Sequence, residues 1–71
     1  MKTYTYYEAV EYLVNHGISC DPNIGDEGEY VCDLLDDMID EWDEYQDAVY
    51  YEGTLDSIIS LAKDYLKEED D

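Results

Sequence analysis

Glu29-Tyr30-Val31-Cys32-Asp33-Leu34-Leu35-Asp36-Asp37-Met38-Ile39-Asp40-Glu41-Trp42-Asp43-Glu44-Tyr45-Gln46-Asp47 is the stretch on which the reading of this chain turns. Wound at 100° per residue, its acids Glu29, Asp33, Asp36, Asp37, Asp40, Glu41, Asp43, Glu44 and Asp47 fall within an arc of roughly 160°. Val31, Leu34, Leu35, Met38, Ile39, Trp42 and Tyr45 take the opposite arc, and Tyr30 lies on the boundary. The spacing therefore predicts one long helix with a core-facing side and a side of nearly pure carboxylate.

The flanking segments are read against that helix. Thr5-Tyr6-Tyr7-Glu8 has the spacing of a capping box, which starts a helix whose apolar face is Tyr6, Ala9, Val10, Leu13 and Val14. Asn15-His16-Gly17 ends it, with Gly17 in the left-handed position, Ile18 folding back, and His16 at the carbonyl end of the helix dipole. After Tyr45, residues 47–52 are expected to form a short helical turn. Gly53-Thr54 then supplies a stop and a new N-cap. A last helix from Leu55 to about Lys67 buries Leu55, Ile58, Ile59, Ala62, Tyr65 and Leu66, and the chain frays in an acidic tail at 68–71. The expected fold is a single all-α domain, a small bundle of three amphipathic helices. A minor β element stays open beside it, because Lys2-Thr3-Tyr4-Thr5-Tyr6 alternates and can pair with Val49-Tyr50-Tyr51.

Several chemistries find no support. Asp21-Pro22-Asn23 resembles the start of a calcium loop, but the required Gly falls on Asp26 and the bidentate Glu on Cys32, so Ser19–Glu27 reads as a polar connection with Asp26 capping the next helix. Cys20 and Cys32 form no CxxC pair, and one His leaves no usual zinc set; reduced thiols are expected, with no metal and no cofactor. No apolar run approaches the ~20 residues that span a bilayer, and the opening residues lack the apolar stretch of a signal peptide. A cytoplasmic location in a host cell is expected. Acid–base catalysis needs carboxylates held in a cleft with pKa values pushed apart, whereas these read as exposed on a convex surface, so no enzyme is expected.

Charge carries the functional reading. The chain holds 21 Asp and Glu against 3 Lys, a net charge of −18, yet 45% of its residues are apolar, which marks a folded domain rather than a disordered acidic tail. Such a charge repels nucleic acid and anionic membrane and draws in cationic protein surfaces. On a continuous helix the like-charge pairs Glu29/Asp33, Asp33/Asp37, Asp37/Glu41, Asp36/Asp40, Asp40/Glu44 and Asp43/Asp47 each destabilise by about 0.2 to 0.5 kcal/mol. A face selected only for solubility would interleave Lys. The acids from Glu29 to Glu44 span roughly 24 Å, about one charge per 3 Å, close to the ~3.4 Å per phosphate along one DNA strand. The chain also has nine Tyr, one Trp and no Phe, a choice suited to surfaces that are dry at one end and wet at the other. Tyr30, Tyr50 and Tyr51 stand with the nine carboxylates as candidate partner contacts.

A small, helical, Arg-free chain with carboxylates along one face resembles the DNA-mimic anti-defence proteins, of anti-CRISPR or antirestriction type, that phages and mobile elements use. That likeness is one of bulk properties over the whole chain and transfers no single residue. Asp47-Ala48-Val49-Tyr50-Tyr51 after an acidic amphipathic helix is similar to the Tyr-Tyr helix of colicin-type DNase immunity proteins. It implies nuclease contacts at Tyr50 and Tyr51 with Asp40, Glu41, Asp43 and Glu44; this chain is shorter and lacks the Pro that follows the tyrosine pair in that family. The expectation is a stoichiometric inhibitor that occupies the nucleic-acid-binding surface of a basic nuclease, CRISPR effector or restriction enzyme. The alternatives are a DNase immunity protein and a weak divalent-cation-binding module.

Overall fold

The computed structural model describes residues 2–21, 23 and 25–69. The chain runs β1 (Thr3–Thr5), α1 (Tyr6–Asn15), α2 (Asp26–Asp37), β2 (Glu41–Trp42), β3 (Ala48–Tyr51) and α3 (Glu52–Glu69). Three helices form, but the fold is mixed α and β and not an all-α bundle, because a three-stranded antiparallel sheet of order β1-β3-β2 closes one side. The pairing held open between the N-terminus and Val49-Tyr50-Tyr51 is present, with Thr3 opposite Tyr51, Tyr4 opposite Tyr50 and Thr5 opposite Val49.

Helix α1 follows from its ends. The Thr5 hydroxyl accepts from the Glu8 amide, and the Glu8 carboxylate accepts from the Thr5 amide, so the capping box closes in both directions. At the other end Ile18 N–H donates to Leu13 O at 2.9 Å and Gly17 N–H to Val14 O at 3.0 Å, with Gly17 at φ 81°, a Schellman turn. It delivers Ile18 into the core. His16 donates through Nδ1 to Tyr12 O at 2.8 Å, a side-chain cap on an otherwise open carbonyl. Of the predicted apolar face, Ala9 and Leu13 are fully buried, while Tyr6 and Val14 are exposed.

The long acidic helix does not exist. Helix α2 ends at Asp37, with Met38 N–H closing the last turn on Leu34 O, and a hairpin of β2 and β3 follows at residues 41–51. Electrostatics favours the break: of the six like-charge i,i+4 pairs only Glu29/Asp33 and Asp33/Asp37 remain on a helix, which cuts that repulsion to about a third, or ~0.4 to 1 kcal/mol. Extending the helix would also add acids at its negative dipole end. Met38 and Ile39 still pack on the core beyond the helix end, but Trp42 and Tyr45, assigned to the core face from their phase, are 63% and 78% exposed.

The hairpin loop is built by one carboxylate. Asp43 Oδ1 accepts from the amides of Tyr45 and Asp47, both at 2.8 Å; Gln46 N–H donates to Asp43 O and Asp43 N–H to Asp47 O. This is a three-residue loop, a turn followed by a residue in the left-handed region, and that residue is Gln46 at φ 64°. A side chain there costs roughly 1 to 2 kcal/mol that glycine avoids, less what glycine loses in the unfolded chain. Gln46→Gly is therefore expected to stabilise by about 0.5 to 1 kcal/mol and raise Tm by roughly 3 °C or more. An unchanged or lower Tm in calorimetry would contradict this loop geometry.

Residues 47–52 are thus the last loop residue, strand β3 and the first residue of α3, not a helical turn, and Gly53 sits inside the first turn of α3 rather than before it. Alternation along β3 sets the two faces of the sheet. Tyr50, with Tyr4 and Ala48 beside it, turns to the helices, while Val49 and Tyr51 share the other face with Thr3 and Thr5. The core is Ala9, Leu13, Ile18, Val31, Leu35, Tyr50, Leu55, Ile58, Ile59 and Ala62. Tyr65 is half-buried and Leu66 exposed, against the burial expected of both. Helix α3 continues through Glu69, so 68–69 of the expected frayed tail are helical, and 70–71 lie outside the described residues.

The connection from α1 to α2 packs by backbone contact. Helix α2 starts at Asp26, behind Gly25, so Asp26 belongs to the first helical turn and does not cap it. Gly28 faces Asp21 so closely that a Cβ would overlap the Asp21 carbonyl. One turn on, Cys32 Sγ donates to Cys20 O at 2.9 Å. Both cysteines are free; burial pushes the Cys20 thiol up to about 11, with Cys32 and Glu27 adding to it, and burial followed by Asp36 raises that of Cys32.

A divided acidic surface

The nine candidate carboxylates are all exposed, but the fold deals them onto two supports. Glu29, Asp33, Asp36 and Asp37 ride on α2. Asp40, Glu41, Asp43, Glu44 and Asp47 belong to the hairpin. The straight track of one charge per ~3 Å along a single helix axis is accordingly absent, since α2 itself is only about 18 Å long. No basic residue occurs between Asp26 and Asp47: the cations are Lys2, whose Nζ lies 5.2 Å from the centre of the Tyr4 ring, and Lys63 and Lys67 on α3.

Some of these acids have structural work as well. Asp40 N–H donates to Val49 O and Asp40 Oδ2 accepts from Tyr51 N–H at 3.0 Å, so its side chain extends the β2–β3 ladder past the end of β2. Asp43 holds the loop, as described. Glu41 bonds the Tyr51 hydroxyl and so raises its pKa. Glu29, Asp33, Asp36, Asp37, Glu44 and Asp47 have no recorded side-chain hydrogen bond among the described residues, which leaves them to solvent or a partner.

The tyrosines divide differently from expectation. Tyr50 is fully buried and donates its hydroxyl to Leu35 O at 2.6 Å, so it has no surface to offer a partner. Its ring fills the core because the strand alternation aims it there, and its hydroxyl satisfies a carbonyl left open by the end of α2. Burial, then Tyr6, Asp36 and Asp40, pushes its phenol up to about 12. Tyr51 is half-buried, and Tyr30, also half-buried, stacks on Tyr65 at 4.7 Å between ring centres. Tyr12 donates to Asp56 at 2.7 Å, which holds its phenol at about 12. The exposed rings are others: Tyr7, Tyr45 and Trp42, with Tyr6 at the margin. Sequence reasoning assigned Trp42 and Tyr45 to the core because both keep helical phase with Met38 and Ile39. The signal for a turn was Asp43 at the first position of Asp43-Glu44-Tyr45-Gln46.

Among the described residues no group of three or more His, Cys, Asp or Glu side chains converges as a metal set, and no helix is long and apolar enough to cross a membrane. An apolar hollow of about 620 Å³ lies between α1 and the following loop, lined by Val10, Val14, Ile18 and Cys20. The chain matches no protein-family model, no curated protein and no solved structure.

Self-repulsion on this scale has a measurable consequence. Salt is expected to stabilise the free protein, because raising it from about 10 mM to about 500 mM shortens the Debye length from roughly 30 Å to a few Å. Calorimetry should find a higher Tm at high salt; an equal or lower one would mean that the carboxylates are already compensated.

Proposed function

We propose that this protein is a stoichiometric inhibitor of a cationic nucleic-acid-binding enzyme, a nuclease, restriction enzyme or CRISPR effector, acting in the cytoplasm of a host cell and without catalytic activity of its own. The observation that carries the reading is a surface from Asp26 to Asp47 with nine exposed candidate carboxylates and no cation among them. In a domain of this size, which holds only a few kcal/mol of net stability, uncompensated repulsion is maintained most economically if a basic partner relieves it. The division between α2 and the hairpin favours charge mimicry over two patches, which suits a curved or clefted target better than one straight rod would. The tyrosine-anchored alternative, a DNase immunity protein, loses one of its two anchors to the core at Tyr50.

Pull-down at low salt from a host lysate, followed by mass spectrometry, tests the class of partner. Recovery of a nucleic-acid-binding enzyme that elutes as salt rises is the expected result. Recovery of only acidic or non-nucleic-acid-binding proteins would contradict it.

A further inference from the structure

We propose that the β2–β3 hairpin is the docking element, and that its occupant is an arginine-bearing surface of the partner whose guanidinium groups stack on Trp42 and pair with the neighbouring carboxylates. This rests on the inhibitor reading and names the chemistry of its contact. Three observations converge on residues 41–47. First, the two large aromatic residues Trp42 and Tyr45 are 63% and 78% exposed within four positions of each other, on the edge strand β2 and the loop that follows it. Second, Glu41, Asp43, Glu44 and Asp47 each lie within two residues of Trp42 or Tyr45 along the chain, with no cation in the hairpin, so an acidic occupant is disfavoured. A second copy of this chain, at −18, is excluded on the same ground. Third, the backbone is preset, at Tyr45 by the Asp43 hydrogen bonds of the loop and at Trp42 by its pairing with Ala48, so little backbone ordering is left to do on binding.

The combination selects arginine over lysine. A guanidinium is planar, lies flat on an indole face and forks onto a carboxylate, and it is more weakly hydrated than an ammonium, which gains chiefly as a point charge. A purely electrostatic site would take the two cations alike. Trp42 is the chain's one tryptophan, so its fluorescence reports on this hairpin alone.

The test titrates the full chain with two synthetic peptides of equal length and charge, oligo-arginine and oligo-lysine, at low salt. Tryptophan emission and calorimetry are both followed. The expected result is a change in Trp42 emission on binding oligo-arginine and a preference for it of roughly three- to fivefold. Trp42→Ala should abolish the preference while leaving a salt-sensitive residual affinity for both peptides, and Trp42→Phe should restore part of it. Circular dichroism checks that each variant is folded, and Tyr45→Ala, at a still more exposed position, provides an independent probe of the same hairpin. Equal affinity for the two peptides, or a preference that survives Trp42→Ala, would overturn the docking proposal and leave the inhibitor reading standing. Failure of both peptides to bind would overturn both.

Discussion

Tyr50→Ala is expected to remove about 3 to 5 kcal/mol of stability, the usual cost of emptying a large aromatic site in a packed core. A domain of this length holds roughly 4 to 10 kcal/mol in all, so the loss is a large fraction of the whole and the variant should melt far below the parent. Tyr50 is fully buried where the sheet meets the helices, and its hydroxyl closes a carbonyl at the end of α2. Tyr50→Phe keeps the ring and loses only that bond, at a cost of about 1 to 2 kcal/mol. Urea denaturation of the two variants separates ring from hydroxyl; an alanine variant within 1 kcal/mol or so of the parent would contradict the placement of Tyr50 in the core.

The same hydroxyl gives an alkaline signature. The folded phenol titrates at about 12 and the unfolded one near 10.0, so between these values the unfolded chain has lost a proton that the folded chain keeps. Stability contributed by the neutral phenol is thus complete below pH 10 and declines as pH rises through about 12. Cys20, raised from 9.0 to about 11, adds a decline of the same sign that begins lower. Tm should hold between pH 7 and 9 and then fall, and Tyr50→Phe should flatten the part of the fall above pH 10.

Gly28→Ala is the second large effect. In an open helix this change gains up to about 1 kcal/mol, but here the new Cβ would overlap the Asp21 carbonyl, and a backbone atom cannot swing aside as a side chain does. Either the loop carrying Cys20 lifts from α2 or the helix shifts, for a net loss of about 2 kcal/mol. Lifting the loop would also break the Cys32-to-Cys20 hydrogen bond and expose both thiols. The variant should show a lower Tm and faster reaction with a thiol reagent. A stabilised variant with thiols as slow as the parent's would mean that the loop does not lie against Gly28.

What could be read from the sequence was what short-range chemistry dictates. The Thr5/Glu8 box, the Gly17 turn and the Thr3–Thr5 alternation each depend on a few adjacent residues, and each is present. The hairpin was illegible for a physical reason: Met38, Ile39, Trp42 and Tyr45 are spaced as on one helical face, and its loop uses Gln46 at positive φ where the usual signal is glycine. Tyr50 was misplaced with it, since a residue's face on a strand is fixed only once its pairing is known. At the candidate site, the list of carboxylates was legible because charge needs no fold to be counted. Their division between two supports, and the structural duties of Asp40 and Asp43, depend on the hairpin and were not.

That distinction decides which acids should be altered to test the central claim. Glu29→Gln, Asp33→Asn, Asp37→Asn and Glu44→Gln together remove charge from both supports, most of it from α2, without touching the carboxylates that hold Tyr51 or the loop. The measurement is displacement of nucleic acid from the enzyme recovered at low salt, titrated with the parent protein and with this fourfold variant across a range of salt concentrations. The account predicts stoichiometric displacement by the parent that weakens as salt rises, and a variant that stays folded but displaces poorly, with a shallower salt dependence. Displacement equal for the two proteins, or none by the parent, would contradict it.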